Sequence, residues 1–270
     1  MRAVDLAAYA RDGFLVLEDF VSQSDCDSLQ ARAAELVARF DPGPLRTVFS
    51  ARDQGHARDR YFRESGQAIH FFFEEGATDQ PVSLALNKIG HALHDLDPVF
   101  DRISRRPQFA TLARILGFEE PLLLQSMYLF KQPRIGAEVG WHQDATYLHT
   151  QPSTVTGFWL ALDDADRDNG CLMALPGAHR GPLRQRFRQV GNEMVTEVLD
   201  PTPWPGIEPV ALEARRGTLV VLHGLLPHAS APNRSSRQRH AYALHIVDAR
   251  ADYLPDNWLQ RPGLPLRGFT

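Results

Sequence analysis

The stretch Trp141 to Tyr147 reads WHQDATY and places an imidazole and a carboxylate two positions apart. In an extended strand alternate side chains share a face, so His142 and Asp144 project to one side and Gln143 to the other. Two such ligands hold a metal poorly, but a second histidine from a neighbouring strand would complete a 2-His-1-carboxylate arrangement. That arrangement leaves coordination positions open and is typical of non-haem Fe(II) oxygenases.

The missing imidazole has four candidates near the end of the chain, namely His223, His228, His240 and His245. We favour His228, because Arg239 follows it across a polar turn at residues 233–236. If that turn has an even number of residues, antiparallel pairing puts Arg239 opposite His228 or Ser230 and on the same face. An odd-length loop would turn Arg239 outward.

An arginine that points into a small barrel is costly unless it is paired with an anion, and its planar fork matches a carboxylate. A metal with open positions and a nearby arginine are what 2-oxoglutarate requires, since one end chelates the metal and the far carboxylate needs a cation. The alternative for Arg239 is a surface position on a strand.

Short apolar runs separated by turn residues follow one another over residues 119–250. Within the run 156–162, Phe158 and Leu160 alternate with Trp159 and Ala161, as in a strand. Asp168-Asn169-Gly170 predicts a hairpin turn, with a strand at 171–175 leaving it. This pattern predicts a mainly β fold with flanking helices, a double-stranded β-helix of the jelly-roll or cupin-like type.

Residues 1–118 predict a mostly helical cover with edge strands, and residues 251–270 a C-terminal tail. The cover begins with a helix at 4–11, a strand at 14–17 and a helix capped by Ser22. Residues 47–66 are polar and predict a long loop that could act as a lid. Residues 84–116 predict helix, on which His91 and His94 could form a metal pair, although helical histidines more often cap, pair or face solvent.

The composition is that of an ordinary globular protein, with 29 basic and 33 acidic residues and a net charge of -4. This balance gives no field that would favour nucleic acid or an anionic membrane. The two cysteines, Cys26 and Cys171, are too few for a disulfide framework, and we assign both to packing. With no evident signal peptide or long apolar span, the sequence predicts a cytoplasmic protein.

Further motifs carry a resemblance to a known family. Together with the HxD motif, His228 and Arg239, the stretches NKIGHALH at 87–94, QSMY at 125–128, NGCL at 169–172 and PGAH at 176–179 resemble the phytanoyl-CoA dioxygenase family. The resemblance runs from residue 12 to residue 259. It implies a dioxygenase that uses Fe(II), 2-oxoglutarate and O2. Because the sequence has no convincing domain boundary, we predict one dioxygenase domain over residues 1–270.

The same resemblance implies the site residues. The implied iron ligands are His142, Asp144 and His228, which agree with the choice made from spacing. The implied contacts to 2-oxoglutarate are Lys88, Met127, Gln143, Trp159, Ser230 and Arg239. Gln143 fits the strand argument poorly, Met127 and Trp159 could instead be barrel core, and Lys88 requires its predicted helix to cover the barrel mouth.

The predicted function is a dioxygenase that hydroxylates a small molecule while 2-oxoglutarate is decarboxylated to succinate and CO2. The alternatives are a different divalent-metal cupin, acting as hydrolase or isomerase, and a non-enzymatic homologue that binds a metabolite. Basic residues expected near the mouth predict an anionic or acyl-type substrate, namely Arg52, Arg58, Arg60, Lys131, Arg134, His149 and Arg180. Trp141, Tyr147 and the phenylalanines at 71–73 would line an apolar wall, whereas the plainer alternative is a solvated basic rim.

Overall fold

The fold was analysed in a computed structural model, which describes residues 4–43, 47–49, 60–77 and 79–269. Its helices are α1 (Leu6–Asp12), α2 (Gln23–Arg39), α3 (Arg60–Glu64), α4 (Val82–Ala85), α5 (Leu93–Leu96), α6 (Pro98–Ser104) and α7 (Pro107–Ile115). The strands of the first half are β1 (Phe14–Leu17), β2 (Val48–Phe49), β3 (Ile69–Glu74), β4 (Leu86–His91), β5 (Pro121–Leu129) and β6 (Val139–His142). Those of the second half are β7 (Thr150–Gln151), β8 (Thr156–Ala161), β9 (Leu172–Ala174), β10 (Gln185–Val190), β11 (Glu193–Val198), β12 (Val210–Leu212), β13 (Leu219–His223), β14 (His228–Ser230), β15 (Ala241–Asp248) and β16 (Asp252–Tyr253). Short 3-10 turns cover Ser65–Gln67, Asp144–Thr146 and Ala178–Arg180.

Two sheets form the body of the protein. The larger has the strand order β1-β13-β8-β15-β5-β4-β3-β2, and the smaller has the order β12-β9-β14-β6. Apolar side chains of the two sheets share one cluster, in which Trp159 and Ala243 of the large sheet join Leu172 and Ala174 of the small one. Two facing sheets that pair strands distant in sequence are the arrangement of a jelly roll, so the predicted fold class is confirmed.

The central strand β8 shows how the large sheet separates two layers. Phe158 and Leu160 belong to the cluster that packs beneath the helices, and the Phe158 ring lies 6.0 Å from that of Phe109 in α7. Trp159 and Ala161 face the small sheet instead. The alternation predicted from the sequence is confirmed, and every residue of the strand is buried because both faces are covered.

The first elements of the chain follow their local signals. The Asp5 carboxylate accepts a hydrogen bond from the Ala8 N–H at 2.9 Å and caps α1. The Ser22 hydroxyl accepts one from the Asp25 N–H at 3.1 Å and caps α2. Side-chain caps satisfy the free N–H groups at a helix start, which explains why these boundaries can be predicted from sequence.

The helix predicted over residues 84–116 is wrong in its first part, since Leu86–His91 forms strand β4. Leu86, Ile89 and Leu93 have helical spacing, but β4 pairs with β3 on one side and with β5 on the other. Those pairings lie outside the local pattern and override it. Lys88 therefore lies on a strand and not on a covering helix.

The predicted loop at residues 47–66 has more regular structure than its sequence suggests. Val48 and Phe49 form β2, which pairs in parallel with β3, and α3 begins at Arg60. Residues 50–59, which include Arg52 and Arg58, lie outside the described residues.

The turn at Asp168-Asn169-Gly170 exists but does not form the predicted hairpin. The Asn169 side chain bonds to the Asp164 carbonyl at 2.7 Å, and the Cys171 N–H donates to the Asp166 carbonyl at 2.8 Å. The turn links β8 of the large sheet to β9 of the small sheet, which do not pair with each other. A local turn signal fixes the change of direction but not the strand partner.

The residues after β15 pack closely against the body. Strand β16 pairs with β7, and the buried side chain of Asp95 bonds to Arg261 and, at 3.0 Å, to Arg267. Trp258 stacks on Phe62 with the ring centroids 4.4 Å apart. The interpretation of residues 1–270 as one domain stays a prediction.

Two observations bear on the cellular setting. Cys26 and Cys171 are both free thiols and both buried, as expected of packing residues. Among the described residues, no helix is sufficiently long and apolar to cross a membrane. The cytoplasmic location stays a prediction.

Candidate active site

Three potential metal ligands converge between the two sheets. One donor atom each from His142, Asp144 and His228 lies within 4.8 Å of the other two. The Asp144 Oδ1 is 3.8 Å from the His142 Nε2 and 3.6 Å from the His228 Nε2. The two histidines are direct partners in the register of β6 and β14, which brings their rings to 4.2 Å.

Asp144 lies in a turn that follows β6 and not in the predicted strand. Strand β6 ends at His142, Gln143 remains extended with φ -113° and ψ 135°, and Asp144 begins a 3-10 turn. The turn is held by the Ala145 N–H, which donates to the Gly224 carbonyl at 2.9 Å. One extended residue between the ligands suffices to bring both side chains to the same side.

Backbone carbonyls orient both imidazoles. The His142 Nδ1 lies 2.9 Å from the Gly140 carbonyl oxygen, and the His228 Nδ1 lies 3.0 Å from that of Leu226. Each Nδ1–H then donates to its carbonyl and leaves Nε2 as the lone-pair donor that a metal requires.

Electrostatics keep His142 and Asp144 in their metal-binding protonation states. Burial, together with the nearby His228, lowers the pKa of His142 to about 4. Burial by itself would raise the pKa of Asp144, but His245 and His228 hold it well below its usual range. A neutral imidazole and an ionised carboxylate bind a divalent cation without first losing a proton.

His245, one of the four candidate ligands, lies on the far side of the Asp144 carboxylate. Its Nε2 is 3.3 Å from the Asp144 Oδ2, the oxygen directed away from the other two histidines. Gly157 is the register partner of His245, and a Cβ placed there would lie 2.8 Å from the same oxygen. The alternation Ala241, Ala243, His245 along β15 was the sequence signal for this inward position.

Arg239 is the second chemical feature of the cavity. Its side chain is 3% exposed, and its Nε and Nη1 have no hydrogen-bond partner among the described residues. The guanidinium carbon lies 5.3 Å from the Trp159 ring centroid, and burial lowers the Arg239 pKa to about 10. A buried, largely unpaired guanidinium is a site for an anion.

The predicted register of Arg239 is wrong. Strand β14, which carries His228, pairs with β6 and β9 and not with β15. Arg239 precedes β15, and its backbone N–H donates to the Lys131 carbonyl at 3.3 Å. The predicted hairpin does not form, yet both side chains line one cavity because the two sheets face each other.

That cavity has a volume of about 330 Å³, at the lower end of the range for small-molecule sites. It is lined by the three potential ligands and by five of the implied 2-oxoglutarate contacts, Lys88, Met127, Trp159, Ser230 and Arg239. Gln143 does not line it. The Gln143 amide donates to the carbonyls of Pro182 and Leu225 and accepts from the Arg184 N–H, so its hydrogen bonds tie the backbone together.

Lys131 joins the cavity although the sequence placed it at the rim. Its Nζ donates to the Ser230 hydroxyl at 2.8 Å and to the Ala137 carbonyl at 2.7 Å. Burial and the charge of Arg239 lower the Lys131 pKa to about 7, and burial lowers that of Lys88 to about 7. The strand pattern ended at Phe130 and gave no sign that the next side chain turns inward.

The other expected rim charges that fall within the described residues do not line the cavity. Arg134 is exposed, Arg180 donates to the Arg11 carbonyl, and Arg60 pairs with Glu64 in solvent. His149 lies outside the cavity lining as well. Among the described residues, the basic rim that suggested an anionic substrate is therefore absent.

Of the aromatic residues expected to line an apolar wall, some line the cavity and others pack in the core. Trp141 and Tyr147 line the cavity, whereas Phe71 and Phe73 pack in the main core and Phe72 in a second apolar cluster.

His91 and His94 do not form a metal pair. The His91 Nδ1 lies 2.7 Å from the Ser65 hydroxyl, and the His94 Nδ1 lies 2.8 Å from that of Ser126.

A jelly roll that holds two histidines and one carboxylate beside a buried arginine defines the class of non-haem metal oxygenases. Comparison with known proteins agrees. The family model of phytanoyl-CoA dioxygenase (PhyH) matches residues 9–241, and the chain belongs to this family. The resemblance seen in the sequence is confirmed.

Curated relatives match along nearly the whole chain. Phytanoyl-CoA dioxygenase of Arabidopsis thaliana is 42% identical over 94% of this chain and 91% of its own length. Phytanoyl-CoA dioxygenase domain-containing protein 1 of Mus musculus is 43% identical over 96% of this chain and 95% of its own.

Solved structures share the fold at lower sequence identity. EctD from S. alaskensis, solved with 2-oxoglutarate and 5-hydroxyectoine, has a TM-score of 0.65 at 23% identity and covers 96% of this chain and 83% of its own. The epimerase SnoN, solved with Fe3+, alpha ketoglutarate and nogalamycin RO, has a TM-score of 0.68 at 18% identity, with coverages of 95% and 88%.

Proposed function

We propose that the chain is an Fe(II)- and 2-oxoglutarate-dependent dioxygenase that hydroxylates a small molecule. The observation that carries this proposal is the presence, in one cavity, of the His142, Asp144 and His228 donors and the largely unpaired guanidinium of Arg239. One cavity therefore contains the donors for a metal that would bind a chelating co-substrate and a cation that would bind the co-substrate's distant carboxylate.

The donor set suits Fe(II). His142 and His228 would bind through Nε2 and Asp144 through Oδ1, a facial set that leaves positions open. Bound iron would supply the activation of O2 and the decarboxylation of 2-oxoglutarate to succinate and CO2. The protein's part is to orient the ligands through the Gly140 and Leu226 carbonyls and to shelter the site from water.

The far carboxylate of 2-oxoglutarate would lie against Arg239. Ser230 can bond to the same carboxylate while its hydroxyl accepts from Lys131, and Trp159 lies beneath the guanidinium. Lys88 and Met127 complete this part of the lining. The structures of EctD and SnoN were solved with 2-oxoglutarate and alpha ketoglutarate bound, which supports the choice of co-substrate.

The decisive experiment measures succinate. Anaerobically reconstituted protein should bind one Fe(II) per chain and convert 2-oxoglutarate slowly to succinate once O2 is admitted, even without a prime substrate. A hydrolase or isomerase of the cupin type would form no succinate and would not need Arg239. A metabolite-binding homologue would bind 2-oxoglutarate without consuming it.

For the prime substrate we infer a small molecule of acyl or ring type. The curated relatives are named after phytanoyl-CoA, which is an acyl thioester. The cavity lining includes the aromatic side chains of Trp141, Tyr147 and Phe187, which suit an apolar chain or a ring. A screen for compounds that accelerate succinate formation would test this directly.

A further inference from the structure

The cavity has two chemically different ends, which the strand registers define. Gly157, His245 and Gln125 lie in one row across β8, β15 and β5, beside the Asp144 carboxylate. Four residues further along β5, roughly 13 Å away, Leu129 lies opposite Lys88. The first row marks the metal end of the cavity, and the second marks the cationic end.

The described lining contains three lysine or arginine side chains, Lys88, Lys131 and Arg239, and each has a contact that links it to the cationic end. Lys88 lies in its row, and Lys131 bonds to Ser230. The Arg239 backbone N–H donates to the Lys131 carbonyl, and its guanidinium lies over Trp159, midway between the two rows. In the proposed function these groups face 2-oxoglutarate. Among the described lining residues, no lysine or arginine then remains for a second anion.

Aromatic side chains line the metal end. The Tyr147 ring lies 6.1 Å from His142 and 5.8 Å from Phe187, and the Phe62 ring stacks on Trp258 at 4.4 Å. We call these four residues, Phe62, Tyr147, Phe187 and Trp258, the aromatic wall. They belong to one apolar cluster and all line the cavity.

Two polar side chains of the described lining, His91 and Gln125, accompany the aromatic wall. The His91 ring lies 6.1 Å from that of Phe62 and 5.1 Å from that of Trp258, and its Nδ1 lies 2.7 Å from the Ser65 hydroxyl. Gln125 is 4% exposed, lines the cavity and lies opposite His245 in the register of β5 and β15. Its side-chain amide makes no hydrogen bond within the described part of the chain. An amide can donate and accept, so it would pair with an uncharged carbonyl, hydroxyl or amide group of a ligand.

We propose that the metal end takes an uncharged apolar or aromatic portion of the prime substrate, with one neutral hydrogen-bonding group paired to Gln125. This inference rests on the proposed function, which assigns the cations to 2-oxoglutarate. A carboxylate at the metal end would lose its hydration and meet no lysine or arginine of the described lining. The charge of a bound Fe(II) would already be balanced by Asp144 and by the chelating carboxylate of 2-oxoglutarate. A charged group elsewhere on the substrate lies outside this end of the cavity.

Two probes of the same shape test the proposal, 2-naphthylacetamide and 2-naphthylacetate. Each is titrated by calorimetry into protein loaded anaerobically with Fe(II) and 2-oxoglutarate. The amide should bind at least about 10-fold more tightly than the acid, because burying the carboxylate unpaired is more costly than burying a bonded amide. Equal or tighter binding of the acid overturns the proposal, and so does failure of both probes to bind at millimolar concentration.

A pair of variants locates the binding. Gln125→Leu should weaken the amide probe about 5-fold to 10-fold, the value of one hydrogen bond. Gln151→Leu, an exposed glutamine in β7, should leave both probes unchanged. An unaltered affinity in Gln125→Leu removes this residue from the proposal. Succinate formation is measured on the same samples. If wild-type protein turns over 2-oxoglutarate but binds the acid more tightly than the amide, the proposed function stands and only the present inference is refuted.

Discussion

The Asp144 carboxylate divides its two oxygens between the metal site and His245. Oδ1 faces the Nε2 atoms of His142 and His228 at 3.8 and 3.6 Å, and Oδ2 lies 3.3 Å from the His245 Nε2. Residues that contact a metal ligand on the side away from the metal fix the orientation of that ligand and tune the affinity of the site for the metal. We therefore expect His245 to position the Asp144 carboxylate.

Replacing His245 should weaken iron without removing a ligand. His245→Ala should lower the affinity for Fe(II) about 10-fold to 100-fold, measured by competition with a chelator. His223→Ala is the matched control, since His223 lies near Tyr9 and His179 and does not line the cavity. An unchanged affinity in the His245 variant would show that Asp144 holds its orientation without it.

Gly157 gives a second test of the same relationship. A Cβ at Gly157 would lie 2.8 Å from the Asp144 Oδ2, so Gly157→Ala must displace the carboxylate. We expect iron affinity to fall about 10-fold even though every ligand is present. Gly206→Ala is the control, because nothing lies within 4 Å of its added Cβ. Full iron binding in Gly157→Ala would mean that the carboxylate moves without cost.

The ligands themselves should be indispensable. His142→Ala or Asp144→Ala should abolish both iron binding and 2-oxoglutarate turnover, because two remaining donors hold the metal poorly. Iron content and succinate formation are measured on the same preparation. Wild-type turnover in both variants would refute the iron assignment.

Arg239→Leu should spare iron and weaken 2-oxoglutarate. Loss of a charge-assisted, bidentate contact is worth roughly 2 to 4 kcal/mol, or about 30-fold to 1000-fold in the dissociation constant. Arg237→Leu is a close control, because Arg237 is half exposed and pairs with Asp166 at 2.7 Å. If the Arg237 variant loses 2-oxoglutarate and the Arg239 variant does not, the anchor has been misassigned.

The affinity for 2-oxoglutarate should fall as pH rises above 7. The pKa of Lys131 is lowered to about 7 by burial and by Arg239, so the free side chain is partly neutral at that pH. A bound dicarboxylate favours the charged form, hence binding takes up a proton, and each such lysine adds up to about 10-fold per pH unit. Calorimetry at pH 6.5, 7.5 and 8.5 should show a shallower slope for Lys131→Met. The same slope in both proteins would exclude Lys131 as the source.

The residues that form the site could be predicted from the sequence more accurately than the strand pairing that brings them together. Residue type and spacing identified His142, Asp144, His228 and Arg239 as a set, because a metal and a carboxylate each demand particular side chains. The register of Arg239 could not be predicted, since a jelly roll pairs strands that are far apart in sequence.

Elements set by local signals were predicted well, and elements set by distant partners were not. Ser22 caps α2 through a contact three residues away. In contrast, β4 becomes a strand only because β3 and β5 flank it. Lys131 enters the cavity through a bond to Ser230, 99 residues later, which no local pattern encodes.

The stacking of Trp258 on Phe62 also bears on the order in which the protein is made. Synthesis at 5 to 20 residues per second places His142 outside the ribosome roughly 10 s before Trp258. A nascent or truncated chain that ends between Asp248 and Trp258 carries every potential metal ligand and all strands of the two main sheets, but it lacks Trp258 of the aromatic wall. We expect the metal site of such a chain to be more open to water than that of the full-length chain.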